Sequence, residues 1–317
     1  MLASEIAHAI NGRLIGDDAQ LCQLAPLFQA SQNDLSILAW PHDVALAKKG
    51  HFAALIIPSD WAADYLLDIN KTVIVVEDFL AVFLSLKSFF KKHLKIITKN
   101  ISPSARLNQK AVIGEAVIGH NTRVDAHACI GDGVFIGEDC HIGFGVVIHD
   151  GAHIGNNVVI GANSVIGAEA FAPYGYDEAV LLPSLGSTVI EDNIRIGSLC
   201  SVARGLIGKT IIKKDTLVDN QVHVGHDARV GKNVVIAGQT ALAGFVDIGD
   251  AATLGGQVGV APHAVIGQGA RVSGKSLARG VIAPHEIWSG NPSLPHKVYL
   301  QEYARISRRY RVKNERK

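Results

Sequence analysis

The sequence predicts a mainly β protein: a three-sided parallel β-helix, preceded by a small α/β domain and followed by a C-terminal helix. Aliphatic residues recur every six positions between Val112 and Val272, in runs of ten, three and eleven. A small or β-branched residue usually stands two positions before each aliphatic, and Gly often follows it. Six residues suit a short strand plus a sharp turn, so eighteen residues make one coil with three sides. The aliphatics predicted to fill its axis are Val112, Ile118, Val124, Ile130, Ile136, Ile142, Ile148, Ile154, Ile160, Ile166, Ile190, Ile196, Val202, Ile212, Val218, Val224, Val230, Ile236, Leu242, Ile248, Leu254, Val260, Ile266 and Val272.

Residues 1–99 lack the period of six and are predicted to form the α/β domain. Hydrophobic periodicity predicts a helix over 3–10, strands over 53–57 and 72–76, and a helix over 79–93. This domain is expected to recognise a nucleotide or substrate. Its loop near Trp40 offers an aromatic ring that would either stack on a flat ligand or anchor the loop.

The β-helix domain is assigned to residues 100–292, and its strict pattern closes near Ser276. The period lapses over 168–187, and a four-residue insertion follows near 205–208. An insertion in a rigid solenoid is predicted to project from an edge and to carry function.

Residues 293–317 are predicted to form a basic helix. Residues 297–317 hold eight Lys or Arg and two Glu, a local charge of +6 in a chain whose net charge is +1. Such a block suits an acidic partner or a solvated helix face. Its apolar face is expected to contain Tyr299, Tyr303, Ile306 and Tyr310.

The four cysteines include no CxxC pair and are interpreted as core residues, with Cys140 and Cys200 at the small inward position of the repeat. No segment has the length and hydropathy of a membrane span, and the N-terminus lacks the pattern of a secretory signal. The chain is therefore expected in the cytoplasm. No nucleotide-binding GxGxxG context occurs, and neither a cofactor nor a nucleic-acid partner is expected.

Residues eighteen apart lie above one another in such a coil, which places His226, Gly244 and His263 along one edge. An imidazole beside a backbone N–H suits acyl transfer, with His as general base and the amide as donor to an oxyanion. A purely structural role for His226 is the first alternative. A zinc site is the second, with His149 and His153, or His223 and His226, combining across chains. No third ligand is evident, and no metal site is predicted.

Two motifs beside His226 resemble a known family. Asp219-Asn-Gln-Val-His-Val-Gly-His226-Asp and the later Val-Ile-Ala-Gly-Gln-Thr-Ala-Leu-Ala-Gly244 are similar to the active-site region of the UDP-3-O-(3-hydroxyacyl)glucosamine N-acyltransferases of lipid A (lipopolysaccharide) biosynthesis. The resemblance extends from the N-terminal domain through the Ile101-Ser-Pro-Ser-Ala entry to the Ser289-Gly-Asn-Pro exit. The left-handed winding of the helix is implied by the resemblance alone, because the general rule for parallel crossovers would predict a right-handed one.

The resemblance also implies a function. It implies a homotrimer that moves a 3-hydroxyacyl chain from acyl carrier protein to the 2-amine of a UDP-linked acylated glucosamine. His226 matches the base, Gly244 the oxyanion donor and His263 a second active-site histidine. Further expected site residues are Trp40, Asn220, Gln221 and His223 for the substrate and Arg305, Arg308 and Arg309 for the carrier protein.

The sequence departs from the family in three loops. The family's uracil-holding Phe-x-x-Asn-Pro-x-Tyr is matched by Ile37, Trp40, Pro41 and Asp43, without either aromatic. The loop Gly-Ala-Asp-Gly-Phe-Gly-Tyr is Gly167-Ala-Glu-Ala-Phe-Ala-Pro-Tyr here, and Asp-Arg-Gly is Ala203-Arg-Gly. The alternatives are therefore a paralogous sugar N-acyltransferase that uses acetyl-CoA or another acceptor, and a non-catalytic binding solenoid.

Overall fold

The computed structural model describes residues 1–27, 30–38, 44–60, 71–93, 98–174 and 179–314. The chain divides into two compact units. One comprises 1–95 together with 169–186 and 205–208, and the other comprises 96–168, 187–204 and 209–317.

The first unit contains a five-stranded mixed sheet, whose strands lie side by side in the order Arg13–Ile15, Thr72–Val76, Ala54–Pro58, Asp34–Ile37 and Gln23–Leu24. The first of these pairs is antiparallel and the others are parallel. The predicted helices and strands are confirmed within a residue. Its elements in chain order are α1 (Ala3–Ala9), β1 (Arg13–Ile15), β2 (Gln23–Leu24), β3 (Asp34–Ile37), α2 (Val44–Lys49), β4 (Ala54–Pro58), β5 (Thr72–Val76) and α3 (Phe79–His93).

Both faces of this sheet are buried, which explains the unbroken apolar runs of β4 and β5. Alternate strand residues such as Ile56 and Ile74 pack with α1 and α3 on one face. Their neighbours Leu55 and Val73 pack with Ala47 of α2 on the other face.

The two insertions belong to this first unit rather than standing free of any core. A hairpin of Pro173–Tyr174 and Val180–Leu181 lies within the longer one. Apolar residues of both insertions are buried in the same cluster as α1 and α3. They are Ala170, Ala172, Leu182, Leu206 and Ile207. The prediction that both insertions leave the prism at an edge is confirmed. Their packing with α1 and α3 was not predicted, because the sequence does not show that a distant segment supplies a hydrophobic surface for them.

The second unit is a three-sided parallel solenoid, as predicted, whose sides have two- to four-residue strands. The first side comprises Arg106–Leu107, Arg123–Val124, His141–Ile142, Val159–Ile160, Arg195–Ile196, Leu217–Val218, Val235–Ile236, Thr253–Leu254, Arg271–Val272 and Ile287–Ser289, closed by the antiparallel Leu294–Pro295. The second side comprises Val112–Ile113, Cys129–Ile130, Val147–Ile148, Val165–Ala168, Ser201–Ala203, His223–Val224, Ala241–Leu242, Gly259–Val260 and Leu277–Ala278. The third side comprises Asn100–Ile101, Val117–Ile118, Phe135–Ile136, His153–Ile154, Ser187–Ile190, Lys209–Ile212, Arg229–Val230, Asp247–Ile248, Val265–Ile266 and Val281–Ile282.

The predicted axial aliphatics fill the interior with one exception. From Ile118 to Val272 every one of them is buried. Val112 is instead 65% exposed, and its neighbour Ile113 packs against the core. The five-residue step between Ile113 and Ile118 shifts the phase, so the prediction for Val112 was wrong.

The small inward positions are buried, including Cys140 and Cys200. Burial raises the pKa of both thiols, so they stay protonated in the core. The same interpretation was wrong for Cys22 and Cys129, which are exposed. Cys129 precedes the axial residue, and alternation along a strand turns its side chain outward.

The C-terminal helix α4 runs from His296 to Asn314. Its first turn packs over the end of the prism, where the Tyr299 ring covers Gly290 so closely that a Cβ at residue 290 would lie 2.8 Å from Tyr299 Cδ2. Tyr299 stacks on Tyr303 at 5.9 Å between ring centroids. Tyr303 and Ile306 of the predicted apolar face are nevertheless exposed, while Tyr310 has no described side chain.

Candidate active site

One edge of the prism, which lies between its second and third sides, carries the predicted catalytic residues. Strand pairing places His223 beside Ala241 and Ala241 beside Gly259 in register. The residues three positions later, His226, Gly244 and Pro262, therefore form one column on successive coils. We call this the His226 edge. Both insertions interrupt the same edge in earlier coils, because each follows a strand of the second side and precedes one of the third.

The imidazole of His226 lies directly against the backbone of Gly244. A Cβ at residue 244 would be 2.6 Å from His226 Nε2 and 2.7 Å from Cε1, distances that real side chains do not show. The His226 ring can therefore occupy this position only because Gly244 has no side chain.

Asp227 orients the His226 ring from the other nitrogen. Its Oδ2 lies 3.0 Å from His226 Nδ1, and the Asp227 carboxylate is fully buried. The Asp227 N–H in turn donates to Thr210 Oγ1 at 2.8 Å. A carboxylate that accepts from Nδ1–H leaves Nε2 as the unprotonated nitrogen, the form that a general base requires. Sequence reasoning assigned Asp227 no role, although its place next to His226 was a usable signal.

The Gly244 N–H is available as a hydrogen-bond donor. Throughout the described residues it has no acceptor. Earlier on the same edge, the equivalent N–H of Asp132 donates to Asp150 Oδ1 of the next coil at 2.9 Å. A backbone N–H in this column can thus donate a hydrogen bond to a negatively charged oxygen. At Gly244 the next coil supplies Pro262, which has no acceptor side chain.

Phe245 is a further site residue that sequence reasoning missed. Its ring lies edge-to-face with His226 at 4.9 Å between centroids and stacks on His263 at 5.0 Å. The structure therefore brings His226, Gly244 and His263 together, with Phe245 between the two imidazoles. An aromatic ring following Ala-Gly was visible in the sequence, but the stacking depends on the coil register.

His223 stands on the second side, three residues before His226. Two effects lower the pKa of the exposed His223 imidazole. The larger is partial desolvation, and the smaller is the nearby His226. A neutral ring beside His226 adds a hydrogen-bonding group without adding charge.

Residues 133–168 match the family model described as bacterial transferase hexapeptide, six repeats. Residues 133–168 of the prism therefore carry the repeat that this model describes. A relative named UDP-3-O-acylglucosamine N-acyltransferase from a Caulobacter species is 40% identical over 149 residues, which cover 47% of this chain and 44% of that protein. One of the same name from Helicobacter hepaticus is 30% identical over 149 residues, covering 46% of each chain. The resemblance predicted from the motifs is confirmed by these relatives.

The aligned segments span less than half the length of these curated relatives. Among solved structures, the UDP-N-acetylglucosamine acyltransferase of Francisella novicida superposes with a TM-score of 0.44 at 25% identity. That superposition covers 62% of this chain and 69% of the other.

Two expected substrate residues lie on a different edge of the hexapeptide prism, the one before His223 rather than after it. Asn220 Oδ1 accepts from the Ser198 N–H at 2.7 Å. Gln221 Oε1 accepts from Gln239 Nε2 at 2.7 Å, and Gln239 Oε1 from Gln257 Nε2 at 2.6 Å. Within one chain these amides join successive coils and are not brought to His226.

The remaining expected residues lie elsewhere. Arg305 and Arg308 are exposed on α4, and Arg305 Nη1 donates to Glu302 Oε1 at 2.6 Å. The Arg309 side chain, and Trp40 with the neighbouring Pro41 and Asp43, fall outside the described residues.

The described residues contain no group of three or more His, Cys, Asp or Glu that could hold a metal ion. Across those same ranges, every helix is too short or too polar to cross a membrane.

Proposed function

We propose that the protein is an acyltransferase that moves a 3-hydroxyacyl chain from acyl carrier protein to the 2-amine of UDP-3-O-acyl-glucosamine, a step of lipid A biosynthesis. The observation that carries the proposal is the His226 edge, where an imidazole held by Asp227 lies against Gly244 with its free N–H. The names of the curated relatives support the sugar and the amide product.

The reaction follows from this geometry. The sugar amine attacks the carbonyl carbon of the thioester, and His226 Nε2 takes the proton that the amine loses. Negative charge develops on the carbonyl oxygen, where the Gly244 N–H donates to it. Collapse breaks the carbon–sulfur bond, and the imidazolium returns its proton to the leaving thiolate. Asp227 stabilises the imidazolium in between.

The assembly proposed is a homotrimer in the cytoplasm, with each site between adjacent prisms. In this arrangement Asn220 and Gln221 of one subunit would meet the His226 edge of the next, which reconciles their distance from His226 within one chain with a substrate role. His223 is proposed to contact the substrate beside His226 of its own chain. The uncovered Tyr303 and Ile306 of α4 are consistent with burial between subunits.

Binding of the two substrates is assigned to separate parts of the chain. Trp40 is proposed to stack on the uracil in place of the family's aromatic pair. Arg305, Arg308 and Arg309 are proposed to dock the acidic carrier protein, because charge complementarity speeds encounter. His263 is proposed to contact the acceptor sugar.

The test is incubation of the protein with 3-hydroxyacyl carrier protein and UDP-3-O-acyl-glucosamine, followed by mass spectrometry of the sugar. The expected product is the N-acylated sugar, which a His226→Ala protein should form at least about 100-fold more slowly. A parallel reaction with acetyl-CoA distinguishes the acetyltransferase alternative, which alone consumes that donor. If the assembled protein transferred an acyl group from neither donor, the non-catalytic binding solenoid would be the remaining alternative.

A further inference from the structure

The aromatic ring of Phe245 occupies the space between two histidines of the His226 edge. It meets His226 with an interplanar angle of 88° and His263 with an angle of 11°. Edge-to-face and offset-stacked arrangements are the favourable geometries for such rings. The ring therefore touches both imidazoles in an attractive orientation.

The backbone at Phe245 does not explain why an aromatic residue is present. Its φ is +61°, in the left-handed region that Gly, Asn and Asp tolerate and bulky residues rarely adopt. On the same edge, one coil earlier, Asp227 takes this position with a φ of +55°. A residue such as Asn would suit the turn better than Phe, so the ring must be accounted for by what it touches.

The apolar interior of the prism does not explain the ring either. Phe245 is half-buried and stands outside the buried cluster that fills the axis, whereas its neighbours Leu242 and Val246 belong to that cluster. Removing the ring would leave the axial packing in place.

His226 is held on three sides when Phe245 is included. Asp227 fixes Nδ1, the Gly244 backbone lies against Nε2 and Cε1, and Phe245 closes a further side. Without the ring, the imidazole gains freedom to rotate away from Gly244 and from the oxyanion position.

We propose that Phe245 is a positioning residue, which holds the His226 imidazole against Gly244 and separates it from the His263 imidazole. The proposal rests on the proposed acyl transfer for its catalytic consequence, but the ring orientation can be tested without turnover. Loss of one aromatic contact of this kind should lower kcat about 10-fold.

The variant is Phe245→Asn, which removes the ring and installs a residue suited to the backbone. Leu199→Asn is the matched control, because Leu199 also has a positive φ, +57°, and is exposed on a different edge. Phe245→Tyr is the rescue variant, since it retains the ring. Each protein is compared by kcat and KM, by thermal unfolding midpoint, and by ¹⁵N spectra of labelled histidines assigned with His226→Ala.

The proposal expects Phe245→Asn to unfold at the same or a higher temperature, with a lower kcat and a nearly unchanged donor KM. The His226 ring nitrogens should change from a single Nδ1–H tautomer to averaged signals, and Phe245→Tyr and Leu199→Asn should behave as the unmodified protein does. A purely structural role predicts a lower unfolding temperature together with the activity loss, and that result would overturn the proposal.

Failure of the proposed function has a different signature. If the unmodified protein transfers no acyl group, acyl transfer is wrong, yet the His226 spectra still decide the positioning role. Unchanged spectra in Phe245→Asn would refute it whatever the activity.

Discussion

Gly244→Ala tests whether the position of His226 depends on a missing side chain. The new Cβ would lie 2.6 Å from Nε2, 2.7 Å from Cε1 and 3.1 Å from Cδ2 of the His226 ring. Ordinary contacts of this kind begin near 3.4 Å, so the imidazole must retreat by nearly an ångström. The ring can retreat only by weakening its hydrogen bond to Asp227.

The expected result is a loss of activity without a loss of fold. A misplacement of about 1 Å in a reacting group costs on the order of 100-fold in rate. The backbone of Gly244 is not in the left-handed region, and Gly→Ala at such a site stabilises by about 0.4–1 kcal/mol in the absence of a clash. Steady-state acyl transfer should therefore show kcat reduced about 100-fold, while the thermal unfolding midpoint changes little.

Gly256→Ala provides the matched control on another edge. A Cβ there would meet a single atom, the Gly238 carbonyl oxygen at 3.4 Å, which is an ordinary contact. It should keep kcat within about 2-fold of the unmodified protein, a difference worth less than ~0.5 kcal/mol. If Gly244→Ala also retained full kcat, the His226 ring would have room that the structure denies it, and the reasoning would be refuted.

Three further predictions concern the candidate site, the basic helix and the buried carboxylate of Asp125. His226→Ala should lower kcat about 100-fold or more with little change in donor binding, and His263→Ala should mainly raise the acceptor KM. Initial rates measure both effects. If His226→Ala kept the kcat of the unmodified protein, the general base would be another residue. Reversal of Arg308 and Arg309 to Glu should raise the donor KM at low salt, and an unchanged KM would leave the helix simply solvated. Asp125→Asn should destabilise the prism by about 1–3 kcal/mol near neutral pH, as followed by thermal unfolding.

The pH dependence of that last effect has a definite sign. Burial raises the pKa of Asp125, but hydrogen bonds from His141 and Arg123 outweigh it and bring the pKa below the ordinary 3.8. A carboxyl with a lowered pKa contributes stability above its ordinary value and loses it as the pH falls through the lowered one. The gap between Asp125→Asn and the unmodified protein should therefore close below about pH 3.8. A gap that stayed constant to lower pH would exclude the ionised carboxylate as its source.

The prism could be predicted from the sequence because one period controls it. Strict steps of six tie every inward position to the next, so from Ile118 onward the interior was assigned correctly. Val112 was wrong because a single five-residue step breaks the period before Ile118. The same arithmetic aligned His226 with Gly244.

Contacts that depend on side-chain direction or on distant segments could not be predicted in this way. The approach of the His226 ring to the Gly244 backbone depends on rotamers, and so does the place of Phe245 between two imidazoles. The packing of Leu182 and Leu206 in the first unit joins segments far apart in the chain, which no local period reveals.

Strand-by-strand stacking makes the coil a unit of length as well as of structure. Each coil pairs only with its two neighbours, so stability is approximately a sum of local terms. The proposed chemistry uses only neighbouring coils, those that hold His226, Gly244 and His263. Between residues 96 and 168 the number of coils is nevertheless fixed, because the first unit packs the segments before and after this stretch in one core. Whole coils of eighteen residues could be added beyond His263, at Val272 for example, without disturbing that core or the reacting groups.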